Sequence, residues 1–221
     1  AEACREAGVG AAAGKLVDEN GQPQIGFSLR RFPAPASLAF EALGVNRLWP
    51  GNPVNRRYRC LDLDHDSPGG VEQPAGAFLM LRRDAWAAVG GFDEGYYPLW
   101  FEDVDLLQRL HEQGFGVRYV PGVAARHRGG HSVARLPTES RPVYWYASLL
   151  RYSCRHFRAP GRVVVAWAVV VGSLMRMFRE AVRQRSLKPI AIYGRVVRSA
   201  CLRLMRGRTG EAAGMSVLAR E

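Results

Sequence analysis

Charge is spread so unevenly along this chain of 221 residues that it must be read as two regions. Residues 1–150 hold 16 Lys+Arg against 17 Asp+Glu, a net of −1, while residues 151–221 hold 15 against 3, a net of +12. The first two-thirds therefore read as a roughly neutral folded unit. The last third reads as a basic appendage for an anionic partner, either nucleic acid or a lipid surface. With 48% hydrophobic and 23% charged residues the chain is neither disordered nor collagen-like. Its four cysteines (Cys4, Cys60, Cys154, Cys201) form no CxxC pair. They are too few and too scattered for a disulfide scaffold or a zinc ribbon, and read as free thiols in a reducing cytosol.

The chain opens AEACREAG, with no initiator Met and no apolar segment of signal length, and reads as starting inside something longer. Ala1–Ala7 resembles the end of a helix, Val9–Leu16 a strand of small residues, and Asp18–Gly21 a hairpin turn. Residues 22–70 are rich in Pro, Gly, Arg and Asn and predict a long irregular stretch. Val71–Arg82 predicts one buried strand, with Gly76 where a ligand or another backbone comes close. Arg83–Val89 predicts a short helix ended by Gly90-Gly91, and Phe92-Asp93-Glu94 a turn. Glu102–Gln113 predicts the clearest helix here: acids fill its first turn, Leu106, Leu107 and Leu110 form its buried face, and Gly114 follows its end. Gly116–Val120 predicts a strand closed by Pro121.

From Arg141 the pattern is helical. The uncharged run Val163–Met175, bracketed by Arg162 and Arg176, spans about 20 Å as a helix against a hydrocarbon core of roughly 30 Å, too short to cross alone. In Ile190–Met205 the residues Ile190, Tyr193, Val197, Cys201 and Leu204 share one face, and Arg195, Arg203 and Arg206 oppose them. That is a basic amphipathic helix. Two helices of this kind suit the cytoplasmic leaflet, where each nearby Arg adds roughly 1 kcal/mol on an anionic surface; they equally suit a helical hairpin packed on itself. The basic region lacks a nucleic-acid recognition motif and mixes its arginines with long apolar runs, so nucleic acid is not the expected partner.

Three clusters could carry chemistry. In Trp100-Phe101-Glu102-Asp103-Val104-Asp105, three carboxylates fall within four residues where a loop becomes a helix. A carboxylate at a helix N-terminus is favoured as the anion and can take a proton from a hydroxyl nucleophile, but acids there also serve as ordinary helix caps. His127 and His131 have the spacing of a metal pair on a helix, yet Gly129 and Gly130 between them argue against one. A single His127 ligand or a hydrogen-bonded surface histidine remains. Asp62-Leu63-Asp64-His65-Asp66 could offer oxygens to a divalent cation but has no EF-hand spacing, and reads as a solvated acidic loop.

Taken in order, VEQPAGAFLMLRRDAW, VGGFDEGYYPLWFEDVDLLQRL, GVRYVP and HRGGHS resemble the second half of an inverting family-2 glycosyltransferase of the GT-A type, closest to bacterial rhamnosyltransferase-like enzymes of cell-surface polysaccharide synthesis. The close match covers Val71 to Ser132. The resemblance implies an α/β fold: a partial GT-A, Rossmann-like sheet with flanking helices over residues 1–140, a basic amphipathic helical region over 141–208, and a tail over 209–221. It implies transfer of a sugar from a nucleotide-sugar donor to a lipid-linked glycan acceptor, peripherally on the cytoplasmic face of the inner membrane. Asp103 matches the general base, and Glu102 and Asp105 match the acidic neighbours that shape the acceptor pocket or orient the base. Gly76, Ala77, Trp100 and Asp105 match the acceptor side. His127 matches a position that completes a Mg or Mn site on the donor diphosphate. The family's nucleotide-binding strands and Asp-x-Asp motif lie upstream of the Gly-Ala strand; Asp64-His65-Asp66 imitates that motif too close to the strand to be it. The chain thus resembles an acceptor half, and a non-catalytic or truncated membrane-associated relative is the alternative.

Overall fold

The computed structural model describes residues 1–206; the expected tail and the Arg206 side chain lie outside the described residues. The strands are β1 (Val9–Val17), β2 (Leu29–Arg30), β3 (Gly69–Val71), β4 (Gln73–Pro74), β5 (Leu79–Leu81) and β6 (Gly116–Arg126). The helices are α1 (Pro35–Leu43), α2 (Val45–Leu48), α3 (Pro53–Tyr58), α4 (Arg83–Val89), α5 (Glu102–Glu112), α6 (His131–Ala134), α7 (Arg141–His156), α8 (Ala159–Gln184) and α9 (Lys188–Arg206). They fall into two compact units that interleave along the chain.

The first unit comprises Ala1–Pro33, Pro53–Glu94 and Glu102–His131. Its mixed sheet has the order β3-β6-β1-β5, with β1 parallel to β6 and both outer strands antiparallel to their neighbours. The small residues of β1 are a packing requirement. A Cβ on Gly10 would lie 2.7 Å from Phe115 Cβ, and one on Gly14 would lie 2.2 Å from Phe78 Cε1. Against this sheet α5 buries Leu106, Leu107 and Leu110 completely, beside Ala11, Ala85 and Val117. Each such leucine contributes about 1.5–3 kcal/mol by leaving water. Gly90 and Gly114, at φ of 71° and 84°, turn the chain out of α4 and α5, where a side chain would be strained.

Three local expectations need correction. Residues 22–70 are not wholly irregular, since they contain β2, α1, α2, α3 and part of β3. Val71–Arg82 is not one strand: β4 pairs with β2 in a separate two-stranded sheet, a 3-10 turn follows at Gly76–Phe78, and only β5 joins the main sheet. Pro74 near the start and Gly76 in the middle make a continuous ladder unfavourable. Conversely, β6 does not stop at Pro121. Its pairing jumps from Gly14↔Val120 to Lys15↔Ala124, so the proline, which has no N–H to donate, is bulged out and the strand continues.

The second unit comprises Ala34–Asn52, Gly95–Phe101 and 132 onward. Here α8 packs on α1 and α9, and α7 on α8 and α9. The approach of α1 to α8 is close, because a Cβ on Gly172 would lie 2.0 Å from the Ala42 carbonyl oxygen. Arg176 donates to the carbonyls of Ala42 and Glu41 at the C-terminal end of α1, satisfying acceptors the helix leaves open. The segment 95–101 is held on α7: Ser148 Oγ donates to the Leu99 carbonyl at 3.1 Å, and the Phe101 and Tyr152 rings lie 5.5 Å apart. At 26 residues α8 is twice as long as its uncharged run, since neither Arg162 nor Arg176 interrupts it. Among the described residues it is the one helix long and apolar enough, by length and composition, to cross a membrane. In α9 the most buried residues are Val196 and Ala200, so the packed face is rotated from the one expected through Ile190 and Val197, and Ile190 is 45% exposed.

Candidate active site at the start of α5

The first turn of α5 carries Glu102, Asp103 and Asp105, and each carboxylate has a different environment. Asp103 accepts a hydrogen bond from the Val104 N–H at 2.8 Å through Oδ1 and from the Gly76 N–H at 2.9 Å through Oδ2. Gly76 opens the 3-10 turn after β4, and it and Ala77 are exposed. The approach leaves no room for a side chain at Gly76, since a Cβ there would lie 2.9 Å from Asp103 Cβ. The structure therefore brings Gly76, Ala77 and Asp103 together at an exposed edge of the first unit. The two N–H groups hold the Asp103 carboxylate in place without a cation.

Glu102 stands beside it with Oε2 buried and without a hydrogen-bond partner among the described residues. Burial first, and then the charge of Asp103, push its carboxyl above the usual glutamate range.

Asp105 overturns its assignment to the acceptor side. It is 0% exposed and bonded to Arg109 Nε at 2.8 Å. The same guanidinium donates to the carbonyls of Gly91, at 2.7 Å, and Val89. The pair clamps α5 to the end of α4, and its oxygens are not available to a ligand. Arg109, Val89 and Gly91 are the partners that sequence reasoning missed. The spacing of four from Asp105 to Arg109 was the available signal, because such residues are neighbours on a helix.

Trp100 lies in the second unit, half-buried. It and Phe101 have left-handed φ angles of 74° and 69°. For side chains of that bulk the conformation costs of order 1–3 kcal/mol each and concentrates at functional positions.

His127 ends the pairing of β6 with β1. Its N–H donates to the Val17 carbonyl at 2.9 Å, its Nδ1 lies 3.0 Å from Gln24 Oε1, and its ring stacks on Phe27 at 5.1 Å. None of these partners is shared with Asp103. Gln24 and Phe27 were not foreseen, being about a hundred residues away in sequence. Among the described residues no group of three or more His, Cys, Asp or Glu side chains could hold a metal ion. The residues present do not by themselves make the expected Mg or Mn site, and no chemical step below passes through one. A cleft of about 430 Å³ lined by Phe32, Glu72, His111, Phe115 and Arg118, among others, contains none of the predicted site residues.

The acidic run at 62–66 is consumed by local contacts. Asp62 receives two bonds of 3.0 Å from Arg31, which hold its carboxyl below the usual range. Asp64 accepts from Ser67 Oγ at 2.6 Å and from the Asp66 N–H, and Asp66 pairs with Lys15. The cysteines are free, with Cys4, Cys60 and Cys154 buried.

Residues 63–131 match the family model described as the N-terminal domain of galactosyltransferase. The chain is 32% identical over 166 residues to N-acetylglucosaminyl-diphospho-decaprenol L-rhamnosyltransferase of Mycobacterium tuberculosis, a match covering 73% of this chain and 53% of the relative. It is 39% identical over 106 residues to rhamnosyltransferase WbbL of Escherichia coli K12, covering 48% of this chain and 36% of the relative. The chain thus spans about half the length, or less, of the curated relatives it matches. No solved structure matches it significantly. The mixed α/β sheet, the ordered motifs from Val71 to Ser132 and the likeness to rhamnosyltransferases together support a GT-A-like glycosyltransferase.

Proposed function

We propose that the protein to which this chain belongs transfers a sugar from a nucleotide-sugar donor to a lipid-linked saccharide acceptor in cell-surface polysaccharide synthesis, as an inverting family-2 enzyme. The names of the relatives favour L-rhamnose as the sugar and a polyprenyl diphosphate-linked N-acetylglucosamine as the acceptor. The observation that carries the mechanism is the Asp103 carboxylate, held by two backbone N–H groups at the exposed Gly76 edge.

In this reading Asp103 accepts the proton of the acceptor hydroxyl as its oxygen bonds to the anomeric carbon. The bond from that carbon to the nucleoside diphosphate breaks on the opposite side, and in-line attack inverts the centre. A positioned base contributes about 10²–10⁴ in rate. Glu102 stands beside the proposed base, its carboxyl raised above the usual glutamate range by burial and by the charge of Asp103. Gly76 and Ala77 line the acceptor side. Trp100 as an acceptor contact and His127 as a ligand of a divalent cation on the donor rest on the resemblance alone. The domain division at 140 and the placement of residues 141–208 on the anionic cytoplasmic face of the membrane belong to the same proposal.

The test is Asp103→Asn in the full-length protein. Loss of sugar transfer with unchanged donor binding is the expected result, and undiminished transfer overturns the base assignment. A non-catalytic relative predicts no nucleotide-sugar binding by that full-length protein.

A further inference from the structure

On α8 the usual arrangement of a surface helix is reversed. The residues packed inside the second unit are no larger than valine: Ala166, Ala168, Gly172 and Ser173 are buried, with Val165, Val169 and Val170 the bulkiest of them. The large apolar side chains face outward instead. Val164 is 51% exposed, Trp167 57%, Val171 43%, Leu174 43%, Phe178 74% and Val182 63%. Their steps of three and four residues keep them within about a third of the helix circumference. Small residues between helices and large apolar ones outside is the arrangement of a helix surrounded partly by lipid, because lipid-facing positions carry no penalty for apolar bulk.

Charge identifies the occupant. Between Arg158 and Arg203 the chain holds ten basic residues and one acid, Glu180. Arg179 and Arg183, exposed by 58% and 74% at the side chain, border the stripe along one flank. A second protein copy would bring the same positive rim against itself, whereas an anionic lipid surface complements it. The helix does not stand as a lone span: its inner face is fixed to α1 through Gly172 and through Arg176 on the Ala42 and Glu41 carbonyls.

We infer that the outer stripe of α8, centred on Trp167 and Phe178, is the surface that lies in the interface of an anionic bilayer, with Arg179 and Arg183 at its headgroup margin. This deepens the proposed membrane placement and depends on it, but not on Asp103.

The experiment uses the full chain with vesicles of phosphatidylcholine, with and without phosphatidylglycerol, and the exposed double variant Trp167→Ser/Phe178→Ser. The expected result is vesicle binding that requires phosphatidylglycerol and is weakened at least about tenfold in the variant, with an unchanged thermal midpoint. Lipids brominated on the acyl chain quench the wild-type tryptophan emission, and Trp167→Phe removes that quenching. Equal binding by wild type and double variant overturns the inference. So does a wild type that ignores vesicles but forms a dimer which the variant dissociates. Sugar transfer by the full-length protein to a short-chain, water-soluble acceptor separates the two readings: the double variant retains it, and Asp103→Asn loses it while still binding vesicles.

Discussion

Two runs of the chain each place three carboxylates within five residues, Asp62–Asp66 and Glu102–Asp105, yet they have opposite electrostatic surroundings. In the first, Asp62 and Asp66 are matched by the cations of Arg31 and Lys15, and Asp64 is turned onto its own loop. In the second, Arg109, the one cation paired with the run among the described residues, is held by buried Asp105. Among the described residues Asp103 is held by N–H groups alone, and Glu102 Oε2 has no partner. Acid density therefore does not identify a reactive carboxylate. The proposed base is distinguished instead by its position, at an exposed edge beside Gly76 and with no counter-charge among the described residues.

The contrast can be broken most severely at Asp103. Asp103→Asn keeps an oxygen for one of the two N–H groups but removes the proposed base, so kcat of the full-length enzyme falls by about 10²–10⁴, while the lost hydrogen bond lowers stability by only about 0.5–1.5 kcal/mol. An equally large fall for Asp62→Asn would show the two runs to be alike. Next comes the clamp: Asp105→Ala leaves Arg109 buried without its partner and lowers stability by about 3–5 kcal/mol, read by urea unfolding. At Asp105 the loss of stability is the main effect, whereas at Asp103 the loss of activity far exceeds it.

Glu102→Gln sharpens the comparison from the other side. A carboxyl whose folded pKa lies above its unfolded value binds more protons when folded, so its contribution to stability falls as pH rises through the window between the two values. Removing the charge flattens that decline and stabilises the protein at neutral pH by on the order of 1 kcal/mol, measured as unfolding free energy against pH. The smallest effect belongs to the first run. Asp62→Asn breaks a solvent-exposed pair with Arg31 and shifts stability by about 0–1 kcal/mol, less at high salt.

Much of the local structure was legible in the residues. Gly90 and Gly114 marked the ends of α4 and α5, and the leucines at 106, 107 and 110 marked the core face, because helix termination and amphipathic spacing are properties of a few neighbouring residues. The small residues of β1 pointed to a strand but not to Phe78 and Phe115, which press on it from distant parts of the chain. The breaks in Val71–Arg82 and the passage of β6 beyond Pro121 depend on which strands pair, and escaped a reading along the chain.

The same division holds for the site and for α8. Sequence alone determined the charge partition, helices such as α4, α5 and α7, and the ordered motif with Asp103 in it, since each is written in composition, period or order. Only the tertiary structure decided that Asp105 is locked by Arg109 while Asp103 meets Gly76, and that α8 turns its small residues inward and Trp167 and Phe178 outward. A side chain's role is set by the groups that reach it in space, and those come from segments that nothing in its own neighbourhood specifies.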